Sequence, residues 1–230
     1  MIVFIFILNA VAVITIIINN NMVIIVNYLL YCLLSFANAG PQGARDGTLT
    51  VMIGGPADTV QSCTPVLECY SRKILRFGEV GSGMAAKLIN QALVGVHALA
   101  ASEAIYMAES FGIDSVENIS TLKEMLHASW GQSKVLELCL DDYIKAKTLG
   151  SNEVLSKTAA PLRNLRKDFS CIERDVTTAT NNKDILNKVL HLVGTANKSF
   201  DEAKNIGLDD SAFVSLVQLL ESKSGIKEGK

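Results

Sequence analysis

Residues 78–91 read Gly78-Glu79-Val80-Gly81-Ser82-Gly83-Met84-Ala85-Ala86-Lys87-Leu88-Ile89-Asn90-Gln91. Gly81 to Ala86 fits G-x-G-x-x-A. The strand-like run Lys73 to Phe77 precedes it and a long helical pattern follows, as in the turn that cradles a dinucleotide's pyrophosphate. Such a turn needs a second strand after its helix, ended by an acidic residue about 20 residues past the glycines. Glu103 stands at that distance from Gly83, but Ala104-Ile105-Tyr106-Met107-Ala108 carries the helical pattern beyond it. No strand appears before Gly112, so the βαβ context fails. The same helix offers another reading. Lys87, Asn90 and Gln91 stand at i, i+3 and i+4, and so share one side. They interrupt an otherwise apolar helix. Taken alone, Lys87 reads more simply as a lysine snorkelling to solvent near the first turn.

The elements around this stretch sort by period. Thr48 to Ile53 is a short β-branched run closed by Gly54-Gly55-Pro56, and reads as a strand. Ala57 to Ser71 has Val60, Cys63, Val66, Leu67 and Tyr70 at helical spacing. With Lys73 to Phe77 these form a β-α-β piece. Two strands do not stand alone in water, and within this sequence only residues 1–39 are left to extend their sheet. Ser82 to Phe111 reads as one buried central helix, about 45 Å long. Everything beyond it is helical: Val116 to Ser129, Ser133 to Lys147, a helix opened by Pro161, Asp184 to Asn205, and a last helix to Leu220. In the Pro161 helix, Leu162, Leu165, Phe169, Ile172 and Val176 form a core stripe. Asp209-Asp210-Ser211 is expected to cap the last helix. His97 reads as a hydrogen-bonded core residue, Trp130 as packing against a helix end, and Lys167-Asp168 as a charged pair on a solvated face.

The bulk properties exclude several classes. The chain has 230 residues and a net charge of -2, so no basic field points to nucleic acid. Its five cysteines, Cys32, Cys63, Cys69, Cys139 and Cys171, are odd in number and form no C-x-x-C, which favours a reducing compartment over a disulfide framework. His97, His127 and His191 lie apart from one another and from the cysteines, so no metal site is expected. No charged residue precedes Arg45, and residues 1–18 are apolar except for Asn9 and Thr15. A second apolar run spans Met22 to Phe36. Three readings stay open for this segment: a spurious or mis-joined start, a signal or membrane segment, or buried strands of the fold. A membrane partner is expected only if residues 1–36 are genuine, and the cytoplasm is the expected location otherwise.

Several motifs occur in a family's order. Gly40-Pro41-Gln42-Gly43-Ala44-Arg45-Asp46-Gly47-Thr48-Leu49-Thr50, followed by Met52-Ile53-Gly54-Gly55, resembles the β-hydroxyacid dehydrogenase family, which includes 3-hydroxyisobutyrate dehydrogenase. Gly78 to Gln91 is similar to that family's G-x-V-G-x-G-x-x-x-K-x-x-N, and Lys167-Asp168-Phe169 to its K-D-L. Gln91 to His97, Ala101 to Ala104 and Asp209 to Ala212 are nearest to the L-threonate dehydrogenase branch. The resemblance covers about residues 38–220.

This resemblance implies a mainly α fold: a remnant β-α-β end of a Rossmann sheet, a long interdomain helix, and an all-helical domain like the C-terminal domain of 6-phosphogluconate dehydrogenase. The implied boundaries are 1–37 for the apolar segment, 38–80 for the end of the nucleotide-binding domain, 81–222 for the helical domain and 223–230 for a polar tail. The chain is then expected to be a C-terminal portion, lacking most of the cofactor domain and inactive by itself. The implied activity is hydride transfer between NAD or NADP and a small hydroxy acid. Lys87 would be the catalytic lysine, with Asn90 and Gln91 orienting substrate. Gln91 stands where many members carry asparagine. Asn38-Ala39-Gly40 stands where the family has Ser-Gly-Gly, the loop that grips the substrate carboxylate. Lys167 and Asp168 would contact the cofactor. A homo-oligomer through the helical domain is expected; the alternative is a non-catalytic dimerisation or interaction module.

Overall fold

The computed structural model describes residues 46–150 and 161–224, together with the backbone of four strands ahead of them. Two compact units divide the chain, Met1–Asn90 and Gln91–Lys230.

In the first unit, β1 (Ile2–Leu8), β2 (Val11–Ile18) and β3 (Asn21–Ile24) form an antiparallel sheet in that order. A second sheet has the order β4 (Leu33–Ala37), β5 (Leu49–Gly54), β6 (Ser71–Arg76). β5 and β6 are parallel and joined by α1 (Ala57–Leu67), the expected β-α-β piece. Its third strand does come from residues 1–39, but β4 runs antiparallel, with Leu33 opposite Gly54 and Ala37 opposite Thr50. Val51, Ile53, Val60 and Leu67 are buried together between β5 and α1. Met52 and Gly54, on the opposite face of β5, are buried as well, so the end of this strand is covered on both faces.

α2 (Ser82–Ser110) is the long expected helix. It ends where Gly112 takes a positive φ of 76°. It is not buried all round. Ile89, Leu93 and Met107 are more than half exposed, with exposed Ala100 between them on the same side. Ala98, Ser102 and Ile105 are fully covered on the other. Apolar residues on every side therefore hid a one-sided helix.

The second unit is all helical. α3 (Val116–His127) starts at Ser115, whose hydroxyl accepts from the Asn118 N–H, and α4 (Lys134–Leu149) at Ser133, whose hydroxyl accepts from Leu136. These two helices and α2 share a core that includes Ile105, Ala108, Ile119, Leu136 and Leu140, joined by Val217 from the C-terminal end of the unit. Glu109 on α2 accepts from the Tyr143 hydroxyl of α4, and Lys147 Nζ lies 3.1 Å from the same carboxylate. Burial first, and then that hydrogen bond, raise the Tyr143 hydroxyl well above its ordinary pKa.

α5 (Leu162–Thr180) follows Pro161, and its Leu162, Leu165, Phe169 and Ile172 are buried as the stripe requires, with Val176 half-buried. Residues 184–205 are not one helix. They split into a single turn, α6 (Ile185–Lys188), and α7 (His191–Asn205). The break lets α7 pack back on α6 so closely that a Cβ at Gly194 would lie 2.6 Å from the Leu186 carbonyl oxygen. A 3-10 turn (Phe213–Ser215) leads into α8 (Leu216–Ser224), which runs past the expected end at Leu220. Asp209 and Asp210 do not cap that helix; arginines of α5 take their carboxylates instead. Trp130 is fully exposed rather than packed on a helix end, and His97 is half-buried.

Candidate functional site

The site is built on α2, and its glycines explain how the helix is set. Gly83 presses on the end of β5: a Cβ there would lie 2.8 Å from the Met52 carbonyl oxygen and 2.9 Å from the Gly54 nitrogen. Gly54 is equally crowded, with 2.3 Å to the Glu79 carbonyl oxygen. Distances below about 3 Å exclude any side chain, so these glycines permit close helix–strand approach. At Gly83 and Gly54 that space is taken by backbone, whereas a Cβ at Gly81 would meet nothing within 4 Å. Among the described residues α2 is followed by α3 rather than by a strand, so the βαβ context of a pyrophosphate cradle is absent.

Lys87, Asn90 and Gln91 are all half-buried. At 3.6 residues per turn, Lys87 and Gln91 fall on the side of α2 that carries Ala98, Ser102 and Ile105, opposite the exposed Ile89 and Leu93. The lysine is thus not on the solvent stripe of its helix.

Within the second unit, Gln91 Nε2 donates to Asp168 Oδ2 of α5 at 2.9 Å. Two devices hold α5 in the register that makes this bond. One turn after Gln91, Gly95 accepts the ring of Phe169, the residue after Asp168. A Cβ at Gly95 would lie 2.4 Å from both Cε2 and Cζ of that ring. Phe169 in turn packs edge-on against Phe200 of α7, with centroids 5.1 Å apart. The second device sits at the start of α5. Arg166 donates from Nε to Asp209 Oδ1 at 3.0 Å and from Nη2 to Oδ2 at 3.1 Å. Arg163 pairs with Asp210. The first helical N–H groups, of Leu162 and Arg163, donate to the carbonyls of Ser211 and Asp209 at 3.0 and 2.8 Å. A helix start that has no side-chain cap is thereby satisfied by the loop before α8.

The sequence pair Lys167-Asp168 is split. Lys167 is exposed, whereas Asp168 is only 6% exposed and bonded across helices. The reading of both as one solvated pair fails because α5 turns 100° per residue between them. Asn38, Ala39 and Gly40 lie outside the described residues. Gly95 and Asp209 fell inside stretches that resemble the family, but nothing in those stretches gave Gly95 its aromatic partner or Asp209 its arginine. Among the described residues no group of three or more His, Cys, Asp or Glu gathers as a metal site.

A family model described as NAD-binding of NADP-dependent 3-hydroxyisobutyrate dehydrogenase matches residues 81–220. One described as the NAD binding domain of 6-phosphogluconate dehydrogenase matches residues 38–78. An uncharacterized oxidoreductase of Synechocystis is 44% identical over 91 residues, 40% of this chain and 31% of that protein. The probable mitochondrial 3-hydroxyisobutyrate dehydrogenase of Arabidopsis thaliana is 38% identical over 95 residues, 41% of this chain and 26% of that protein. The 2-hydroxy-3-oxopropionate reductase of Escherichia coli is 32% identical over 108 residues, 47% of this chain and 36% of that protein. The matched part of the chain thus spans about a third of these relatives' length. In fold, it is similar to the crystal structure of 3-hydroxyisobutyrate dehydrogenase from Salmonella typhimurium, with TM-score 0.66 and 23% identity, covering 82% of this chain and 59% of that one. The match over residues 81–220 takes in more than half of the chain, and the chain belongs to the 3-hydroxyisobutyrate dehydrogenase family of NAD(P)-dependent hydroxyacid dehydrogenases.

Proposed function

We propose that this chain supplies the substrate-handling and proton-handling half of a hydroxyacid dehydrogenase. Its substrate would be a small hydroxy acid of the 3-hydroxyisobutyrate or threonate kind. The observation that carries this reading is the placement of Lys87 and Gln91 one turn apart on the covered side of α2, within the stretch that matches the family. Oxidising an alcohol to a carbonyl requires the hydroxyl proton to leave and the developing negative oxygen to be stabilised. Lys87 Nζ would take that proton and stand beside that oxygen. The Asn90 and Gln91 amides would orient the substrate. NAD or NADP, when bound, supplies the hydride acceptor, and exposed Lys167 is the residue of α5 suited to reach it. Residues 38–80 would serve as the end of the nucleotide-binding domain and 81–222 as the helical domain. Asn38, Ala39 and Gly40 would hold the substrate carboxylate, and a cytoplasmic location fits an NAD(P)-linked enzyme.

The experiment uses the full 230-residue chain. NAD(P)H absorbance is followed with 3-hydroxyisobutyrate, threonate and related hydroxy acids, and each is titrated calorimetrically. Where the wild-type chain turns over a substrate, Lys87→Ala is expected to lower kcat by about 10²-fold or more while substrate titration persists. A wild-type chain that binds neither hydroxy acid nor cofactor would sink the reading. In that case the exposed apolar stripe of α2 favours the second one, a module that pairs with another copy of itself.

A further inference from the structure

Lys87, Asn90, Gln91 and Val94 stand at i, i+3, i+4 and i+7 of α2, which runs without a break from Ser82 to Ser110. In an α-helix such positions are the corners of one lozenge on the surface. The first and last lie in line along the axis, and the middle two flank them. All four residues are half-buried and keep some exposure. Ala98 and Ala101, one and two turns beyond Val94 on the same side, are 0% and 2% exposed, so the accessible row ends at Val94. The Gln91 flank is closed as well. There the Gln91 amide donates to Asp168 of α5 at 2.9 Å, and the Phe169 ring lies against Gly95, the neighbour of Val94. The lozenge thus offers one cation, two amides and, at its closed end, an isopropyl group that neither donates nor accepts. Helical side chains lean toward the N-terminus, so the Val94 methyls lean back over the Asn90–Gln91 turn. At 1.5 Å per residue the centre of the lozenge is only about 5 Å along the axis from either end.

We propose that Val94 is a specificity-determining residue: it receives the carbon substituent of the hydroxy acid, and selects a methyl-branched acid such as 3-hydroxyisobutyrate over a polyol acid such as threonate. This rests on the function proposed above, in which Lys87 takes the hydroxyl proton, and it chooses between the two kinds of substrate named there. With the reacting hydroxyl at Lys87, the far side of a small acid's carbon chain meets Val94. A methyl group there leaves water for an apolar surface, which is favourable. A second hydroxyl there gives up its hydrogen bonds to water and finds no partner on an isopropyl group, which is costly. The discrimination is therefore two-sided, a gain for the methyl and a penalty for the hydroxyl.

The test is calorimetric titration of the full chain, alongside thermal melts, with three acids: 3-hydroxyisobutyrate, 3-hydroxypropionate (which lacks only the methyl branch) and threonate. The wild type is expected to bind 3-hydroxyisobutyrate roughly fivefold or more tightly than 3-hydroxypropionate, and threonate more weakly than either. Val94→Thr keeps the shape and exchanges a methyl for a hydroxyl. It is expected to bring the ratio of the first two acids close to one and to strengthen threonate, whereas Val94→Ile keeps the wild-type order. Both acids are measured on the same variant, so a general loss of folding cannot imitate a change in their ratio. Should Val94→Thr fail to fold, methyl NMR on the wild type decides. The Val94 methyl resonances, identified by their loss in Val94→Ile, are expected to shift with 3-hydroxyisobutyrate and less with 3-hydroxypropionate. A ratio unchanged in Val94→Thr, or Val94 methyls indifferent to 3-hydroxyisobutyrate, would overturn the proposal. Equal binding of the two acids by the wild type would leave the dehydrogenase reading standing and refute the role of Val94. Binding of none of the three would remove the dehydrogenase reading and this inference with it.

Discussion

Asp209 shows how a single residue sets the start of a helix. Its carboxyl is held below the ordinary carboxylate range, first by the hydrogen bonds from Arg166 and then by the surrounding cations, against the opposing effect of burial. A carboxyl whose pKa is lowered on folding stabilises the fold above its unfolded value, about 3.9, and that stability is lost as pH falls through the lowered value. The bidentate pair is partly buried, and about 1 kcal/mol is a reasonable contribution. Asp209→Asn is thus expected to lower the melting temperature by about 2–4 °C at pH 7. Melts of both proteins from pH 7 down to pH 3 should show the difference closing below about pH 4. A gap that is constant with pH would contradict the assignment. Cys139 makes a second residue-scale case. It is fully buried in the core between α2, α3 and α4, and burial first, then nearby Asp142, push its thiol up to about 12. Cys69 is exposed. Alkylation of the native protein followed by peptide mass spectrometry should label Cys69 quickly and Cys139 only after denaturation.

At the scale of elements, α2 is fixed by what it lacks. Gly83 lets its first turn touch β5, and Gly95 receives an aromatic ring from α5. Gly95→Ala is expected to destabilise the protein by about 1–3 kcal/mol through overpacking, measured by urea denaturation. It should also weaken the Gln91–Asp168 bond, since the displaced ring belongs to the residue beside Asp168. Gly83→Ala meets backbone atoms that cannot rotate away and is expected to cost at least as much. Most of these elements were legible beforehand, because the helical period and the opening Pro161 are local signals. The glycines could be recognised as meaningful but not their role, since G-x-G-x-x-A describes a close approach without naming what approaches. The split at Val189-Leu190 was not legible, because it follows from how α7 crosses α6 rather than from a breaker residue. Nor was the capture of Asp209 and Asp210 by arginines more than 40 positions earlier in the chain.

For the whole molecule, the family was readable from motif order, while the pairing of Gln91 with Asp168 across 77 positions needed coordinates. The one-sided exposure of α2 also bears on assembly. Ile89, Leu93 and Met107 form an apolar stripe that a second copy of the chain would cover. Light scattering of the full chain is expected to give a dimer or larger species, and Leu93→Glu with Met107→Glu to give monomer with unchanged helix content. A monomeric wild type would refute this. The single tryptophan, Trp130, stands fully in solvent at the turn between α3 and α4. Its emission is expected to have the wavelength of a hydrated indole already in the native state, so that denaturation leaves it nearly unmoved. The intrinsic fluorophore of this protein is a poor witness to its unfolding and a good one for anything that docks on that turn, where a blue shift would signal contact.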